Sequence, residues 1–299
     1  MGCLISCALF ETISTALKWI LEQHLPQEVK VEKLLDDFLF IAPSEASGRK
    51  ALTIFRQVCA HIGIPLGEHT TMGPARVLPF LGITLDTLKH EARLPVEKLR
   101  KCQSQIDLLL SKKRVTLQEL QSVLGLLSFA TCVVPGKAFL RRLFDLPVGI
   151  KKAYHFVRLN KEAKADLSVW IQFLQQYNGR SFFHSSVVLS SDKLRLYTDA
   201  SGSIGYGGVF GASYFFGLWP KKWQSLNITV LELWPIMAAI HIWGCALANK
   251  RVEFVTDNQA LVWIINKQTS KSKQVMYLLR RLVFGCLKWN ICFSSVWID

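Results

Sequence analysis

The chain has 299 residues, a length that suits about two domains, and 50% of them are hydrophobic, which excludes global disorder. Its 36 Lys+Arg stand against 22 Asp+Glu, a formal charge of +14. Such an excess suits a polyanion, nucleic acid before a membrane surface, although charge alone also fits a merely basic soluble protein. The eight cysteines are scattered, with no C-x-x-C pair and no His at zinc spacing. They read as reduced core residues of an intracellular protein without a zinc site.

In chain order, MGCLIS fits the pattern for N-myristoylation, with Cys3 open to a second acyl chain. CLISCALF has the length of a secretory apolar core, but no basic stretch precedes it and Glu11 soon follows. No apolar run is long enough to span a membrane. From about Ser6 to Glu22, Phe10, Ile13, Leu17, Ile20 and Leu21 recur at helical spacing. KLLDDFLFIAPS follows, an apolar run with Asp36 and Asp37 at its centre. Asp is a poor strand former, so the run reads as two strands joined at the acidic pair. Pro43, Ser44 and Gly48 mark a loop, and a second helix presents Leu52, Phe55, Val58, Cys59 and Ile62. VLPFLGITLDT reads as a hairpin or strand.

From Leu94 the character changes. Pro95 opens a helix with Leu99, Ile106, Leu109 and Leu110 as its stripe, and Thr116 with Glu119 forms a T-x-x-E capping box for the next. Val134-Pro135-Gly136 ends that helix, and another basic helix is expected to begin there. Between Lys89 and Lys164 the chain carries 16 Lys+Arg against 6 Asp+Glu, most of its net charge. Solvated helix faces would look the same.

From about Ser190 the expected order is strand, strand, strand, helix, strand, helix, helix, strand: a meander followed by crossover units. Three acids stand at informative places. Asp199 ends the first strand, Glu232 lies near the start of the first helix, and Asp257 ends the fourth strand. If the first and fourth strands are adjacent and parallel, both aspartates emerge at one edge and the helix brings Glu232 beside them. Clustered carboxylates repel unless cations neutralise them, and two Mg²⁺ ions would do so while activating a water against a phosphodiester. Each acid also has a purely structural reading: Thr229 and Glu232 as a capping box, Asp257 as an N-cap, Asp199 with Ser201-Gly202 as a turn. Together, at these positions, they favour the metal site.

YTDASGSIGYGGVFG, ELWPIMAAI and FVTDNQALVWIIN resemble the type-1 ribonuclease H domain of retroelement reverse transcriptases, most like those of tyrosine-recombinase (DIRS-type) retrotransposons. LPVEKLRKCQSQIDLLLSKKRVTLQELQSVLGLLSFA is similar to the thumb and connection of the same polyproteins. IPLGEHTTMGPARVLPFLGITLDT is similar to the end of the palm, and GCLISCALFETISTALKWIL to the palm motif before the acidic pair. That last likeness explains MGCLIS better than acylation does. The resemblance implies an α/β (α+β) fold: a partial palm at residues 1–90, a helical thumb and connection at 91–189, and a ribonuclease-H-like mixed five-stranded sheet with helices at 190–299.

It also implies Mg²⁺ (or Mn²⁺) held by Asp199, Glu232 and Asp257 for hydrolysis of RNA in RNA–DNA hybrids, and by Asp36 and Asp37 in a palm remnant. The family's fourth ribonuclease H carboxylate lies beyond the last strand, where Asp299 is no convincing match. Its upstream palm aspartate and fingers would precede Met1. Leu34 stands where relatives have Tyr, and Thr70 where they have Lys. The chain on its own is therefore expected not to polymerise DNA. The expected partner is an RNA–DNA hybrid or other nucleic acid, with no membrane, met by Lys112, Lys113, Arg114, Lys267, Lys271 and Lys273, and by Trp223 and Trp263. The competing readings are a catalytically inactive nucleic-acid-binding remnant and a different nuclease or transposase on the same fold.

Overall fold

A computed structural model describes residues 5–67, 71–178, 180–181 and 188–298. Met1–Leu4, Thr70 and Asp299, which bear on the acylation pattern, the lysine position and the fourth carboxylate, lie outside the described residues. The chain divides into two compact units, Met1–Pro95 and Val96–Asp299.

In the first unit, α1 (Ser6–His24) buries Ser14, Leu17 and Leu21. Only the second half of the expected stripe is covered, since Phe10 and Ile13 are exposed. β1 (Lys30–Leu34) and β2 (Asp37–Ile41) pair antiparallel, with Leu34 opposite Asp37. The following helix, α2 (Glu45–Ile62), starts at a Ser44–Ser47 capping box and stops at Gly63, whose φ of 75° suits glycine. Its Ala51, Phe55 and Cys59 join Leu17, Leu21 and Val31 in one core. Phe38 and Phe40 lay their rings 5.5 and 5.2 Å from that of Phe55. β3 (Val77–Phe80), β4 (Ile83–Asp86) and β5 (Glu91–Arg93) form an antiparallel meander.

The second unit opens with α3 (Val96–Ser111), which buries Cys102, Ile106 and Leu109. β6 (Arg114–Thr116) leads into α4 (Leu117–Ala130), and the expected Thr116–Glu119 capping box is formed. After Gly136 the basic segment makes a 3-10 turn (Lys137–Phe139) and the short α5 (Arg141–Asp145) in place of a full helix. β7 (Phe156–Arg158) pairs with β6, and α6 (Lys161–Gln176) is capped by Asn160. β8 (Arg180–Ser181) and β9 (Val188–Ser190) follow.

Beyond β9 come α7 (Ser191–Leu194), β10 (Leu196–Ala200), β11 (Gly205–Phe210), β12 (Ser213–Leu218), α8 (Ile228–Trp243), β13 (Arg251–Thr256), α9 (Gln259–Lys267), α10 (Lys273–Lys288) and β14 (Cys292–Trp297). The mixed α/β class and the element order from β10 onward match expectation, but among the described residues the single five-stranded sheet does not form. β10, β11 and β12 make an antiparallel meander, while β9 and β14 flank β13 in a parallel sheet. β10 stands where the first strand is expected, but it pairs with β11 and not with β13, so the expected first and fourth strands are not neighbours. The place beside β13 is taken by β9, which is separated from β10 by α7, ending on Arg195 at a φ of 52°. At α7 a side chain takes over from the ladder. The Ser191 hydroxyl accepts from the Val255 N–H at 3.2 Å and donates to the Glu253 carbonyl at 3.4 Å.

α8 is apolar on nearly every side because it is covered on several. It buries Val230, Leu231, Leu233, Ile236, Met237 and Ile240, as a helix inside a core must. A Cβ at Gly285 of α10 would sit 2.9 Å from Ile240, so the missing side chain there lets the two helices close. α6 and α10 share a buried ion pair, Asp166 Oδ2 to Arg280 Nη2 at 3.1 Å, with Arg142 at 3.5 Å from the other oxygen. Phe139, Phe173 and Phe284 pack edge-on and tilted around it at 5.1 to 5.3 Å.

Candidate functional site

β10 delivers Asp199 to the surface opposite Gly207. Its Oδ1 accepts from the Ala200 N–H at 2.8 Å. The turn after it belongs to Ser201, whose hydroxyl accepts from the N–H groups of Ser203 and Ile204 and whose carbonyl accepts from Trp219 Nε1 at 2.7 Å. Asp199 is thus not the turn-former. Glu232 is likewise relieved of capping. Asn227 caps α8, its side chain accepting from the Thr229 N–H at 2.9 Å, so the Thr229–Glu232 box is not made. Asp257 does not cap α9 either; Asn258 does, accepting from the Leu261 N–H at 3.1 Å. In each case a neighbouring Ser or Asn carries the local structure. Asn227 and Asn258 each immediately precede an apolar helical run, but Thr229 and Asp257 stand close enough to the same runs to compete for the role.

Glu232 is half-buried, and its Oε2 is buried with no hydrogen-bond partner. Burial pushes its carboxyl above the ordinary value, and the negative charges of Asp257 and Asp199 push it further, against a hydrogen bond from Asn258. Both aspartates are exposed. The fold therefore brings both aspartates within electrostatic reach of Glu232. Among the described residues, however, no three His, Cys, Asp or Glu side chains lie close enough to hold an ion together. The chemistry of the set still fits a divalent cation. An orphaned buried carboxylate oxygen and two exposed carboxylates on movable side chains are oxygen donors of the kind Mg²⁺ takes. Two further hydrogen bonds fix the backbone and side chains around these acids. Asn258 donates to Thr229 Oγ1 at 3.3 Å, and Trp297 Nε1 donates to the Asp257 carbonyl at 3.1 Å, fixing the end of β13.

Asp36 and Asp37 sit at the tip of the β1–β2 hairpin, both exposed, as an exposed acidic turn would be. Leu35 takes a φ of 51° to make the turn, a left-handed conformation that costs a branched side chain roughly 1 kcal/mol. Leu34, in the position where the resembling family has Tyr, is exposed.

The basic residues divide. Lys112 is spoken for by Glu119 at 2.6 Å. Lys113 and Arg114 are exposed around β6, and Lys267, Lys271 and Lys273 are exposed around the α9–α10 loop with no ion pair among the described residues. Lys273 and Trp223 line one cavity of about 420 Å³, together with Lys222 and Tyr277. Composition alone did not single out the last two, because only the approach of α10 to the segment before α8 makes them neighbours. No helix is long and apolar enough to cross a membrane among the described residues.

No family model matches the chain, and no curated protein does. Solved structures do. The foamy viral protease-reverse transcriptase in complex with dsDNA is 17% identical at a TM-score of 0.51, over 99% of this chain and 59% of that one. Its complex with RNA/DNA hybrid is 16% identical at 0.51, over 99% and 38%. The dRH form with ds DNA is 17% identical at 0.50, over 95% and 48%. The chain thus spans between 38% and 59% of these proteins. Likeness at such identity speaks to architecture alone. On that ground the chain has a reverse transcriptase/ribonuclease H-like fold.

Proposed function

We propose that the chain is a retroelement-derived reverse transcriptase/ribonuclease H fragment, of tyrosine-recombinase retrotransposon type, with functional boundaries near residues 90 and 189. It binds RNA–DNA hybrids inside the cell, and it cuts the RNA strand with Asp199, Glu232 and Asp257 around Mg²⁺ or Mn²⁺. The observation that carries this reading is Glu232: a carboxylate with a buried, unpartnered oxygen, placed where two other acids repel its charge. Such a residue is costly to a fold unless something offsets it. A bound divalent ion supplies that offset and an activated water for attack on phosphorus. The residues of the chain do the rest. Asp199 and Asp257 present oxygens from two strand ends, Asn258 orients Glu232, and the basic surface orients the phosphates.

The test is cleavage of a labelled RNA–DNA hybrid by wild type, Asp199→Asn and Asp257→Asn in Mg²⁺ and in Mn²⁺. Cleavage by wild type, lost in both variants, supports the reading; equal cleavage in all three refutes it. A second reading, hybrid binding without hydrolysis, draws on the spacing of the acids, none of which form a three-ligand cluster among the described residues. Salt-sensitive binding with no cleavage by any variant selects it. Primer extension on an RNA template is expected to be absent, since Asp36 and Asp37 have no third acid grouped with them among the described residues.

A further inference from the structure

A second groove of the Val96–Asp299 unit, of about 380 Å³, is lined by Arg141, Trp263, Ile264, Thr269, Ser270 and Lys271. It joins α5 to the start of α9 and the loop before α10. α9 turns Leu261, Ile264 and Ile265 inward and leaves Trp263 outward, 54% exposed. Indole is the largest apolar surface a chain can leave in water. Here it borders a cation and two hydroxyls. Arg141 reaches Asp145 through Nη2 at 3.2 Å across one helical turn, a partly exposed pair, while its Nε is buried without a partner. Such a pair adds little, so the guanidinium keeps donors to offer. Lys271 is exposed beside it.

We propose that this groove takes one unpaired nucleotide at the end of a nucleic-acid duplex, its base stacked on Trp263 and its phosphate met by Arg141 and Lys271. The inference rests on the nucleic-acid reading above and names the part of the substrate held at this second place. Base-on-aromatic stacking tolerates any base and needs an exposed base face, which an overhang offers and a paired base within a duplex does not. The volume lies at the small end of ligand pockets, about 300–1,000 Å³, and so suits one nucleotide rather than a base pair. The surrounding charge is of the sign that a phosphodiester requires.

The experiment is equilibrium binding by fluorescence anisotropy, in EDTA, to one RNA–DNA hybrid with blunt ends, with a short 3′ or 5′ overhang, and with the same overhang made abasic. The readout is the ratio of blunt to overhang Kd. In the wild type one overhang is expected to bind roughly tenfold tighter, with the gain lost for the abasic strand. Trp263→Ala should bring the ratio to about one, while Trp263→Phe, which keeps a ring, retains most of it. Arg141→Gln should lower the salt dependence of overhang binding by about one phosphate contact. Equal Kd for blunt and overhang hybrids in the wild type overturns the proposal while leaving hybrid binding intact. So does a gain that survives Trp263→Ala or the abasic strand. Failure to bind either the blunt or the overhang hybrid overturns the nucleic-acid reading and this inference with it.

Discussion

Glu232 shows how one side chain can reveal an unmet need. Its carboxyl is raised by burial and by two neighbouring acids, above an ordinary value of 4.5. Between the two values the folded chain holds a proton that the unfolded chain has lost, so stability falls as pH climbs through that window. Glu232→Gln should remove this fall and raise the melting temperature at neutral pH without metal. It should also abolish any stabilisation by Mg²⁺ or Mn²⁺, and thermal melts from pH 4 to 8, with and without each ion, check both. A second residue works in the opposite sense. Asn266 of α9 donates to the Ser295 carbonyl at 2.7 Å and accepts from its N–H at 2.9 Å, so that its amide stands in for a neighbouring strand. Asn266→Leu should cost about 2–4 kcal/mol by leaving both backbone groups of Ser295 without partners, read as a lowered denaturant midpoint. At this scale the sequence was partly legible. The positions of the three acids followed from strand and helix periodicity, but their release from capping did not, because Asn and Asp are near-equal caps and only the backbone decides between adjacent ones.

Two elements carry consequences of their own. α6 and α10 meet at Asp166, whose carboxyl burial pushes up to about 6 despite Arg280 and Arg142 beside it. A carboxyl raised in the folded state stabilises on acidification, so wild type should gain on Asp166→Asn as pH falls from 7 to 4. Arg280→Ala, which strands the aspartate, should cost about 3–5 kcal/mol at neutral pH, measured by urea unfolding. β12 is the other case. It is an edge strand with Tyr214, Phe216 and Leu218 each more than 70% exposed, and Gly207 opposite Phe216 leaves that ring uncovered. Flat apolar edges invite pairing with another chain. Phe216→Lys should reduce self-association, seen as a lower weight-average mass by light scattering at equal concentration. The strand itself was readable as a short apolar and aromatic run, SYFFGLW. Its exposure was not, because period-two patterning fixes which residues share a face but not whether anything covers that face.

For the molecule as a whole, charge sets how it meets a partner. Its +14 excess predicts nucleic-acid binding whose affinity falls steeply with salt, by about 0.9 in log–log slope per phosphate neutralised. Replacing Lys267, Lys271 and Lys273 together by Gln should flatten that slope by up to about three, whereas Lys112→Gln, already neutralised by Glu119, should barely change it. Anisotropy titrations from 50 to 400 mM salt separate the two. The order of elements was legible from β10 to β14, since hydrophobic period and capping residues act locally, whereas the helix expected after Gly136 and the short strands before β10 show that it was not legible along the middle of the chain. The division of the sheet was not legible either, because it turns on a helical turn at Ser191–Leu194, too short for any period to show. That turn has a further effect. Asp199 rides on β10 and Asp257 follows β13, and the two strands lie in different sheets. No backbone ladder between β10 and β13 therefore sets the gap between these acids; the link at the joint is the Ser191 hydroxyl, which bridges Val255 and Glu253 of β13 just ahead of β10.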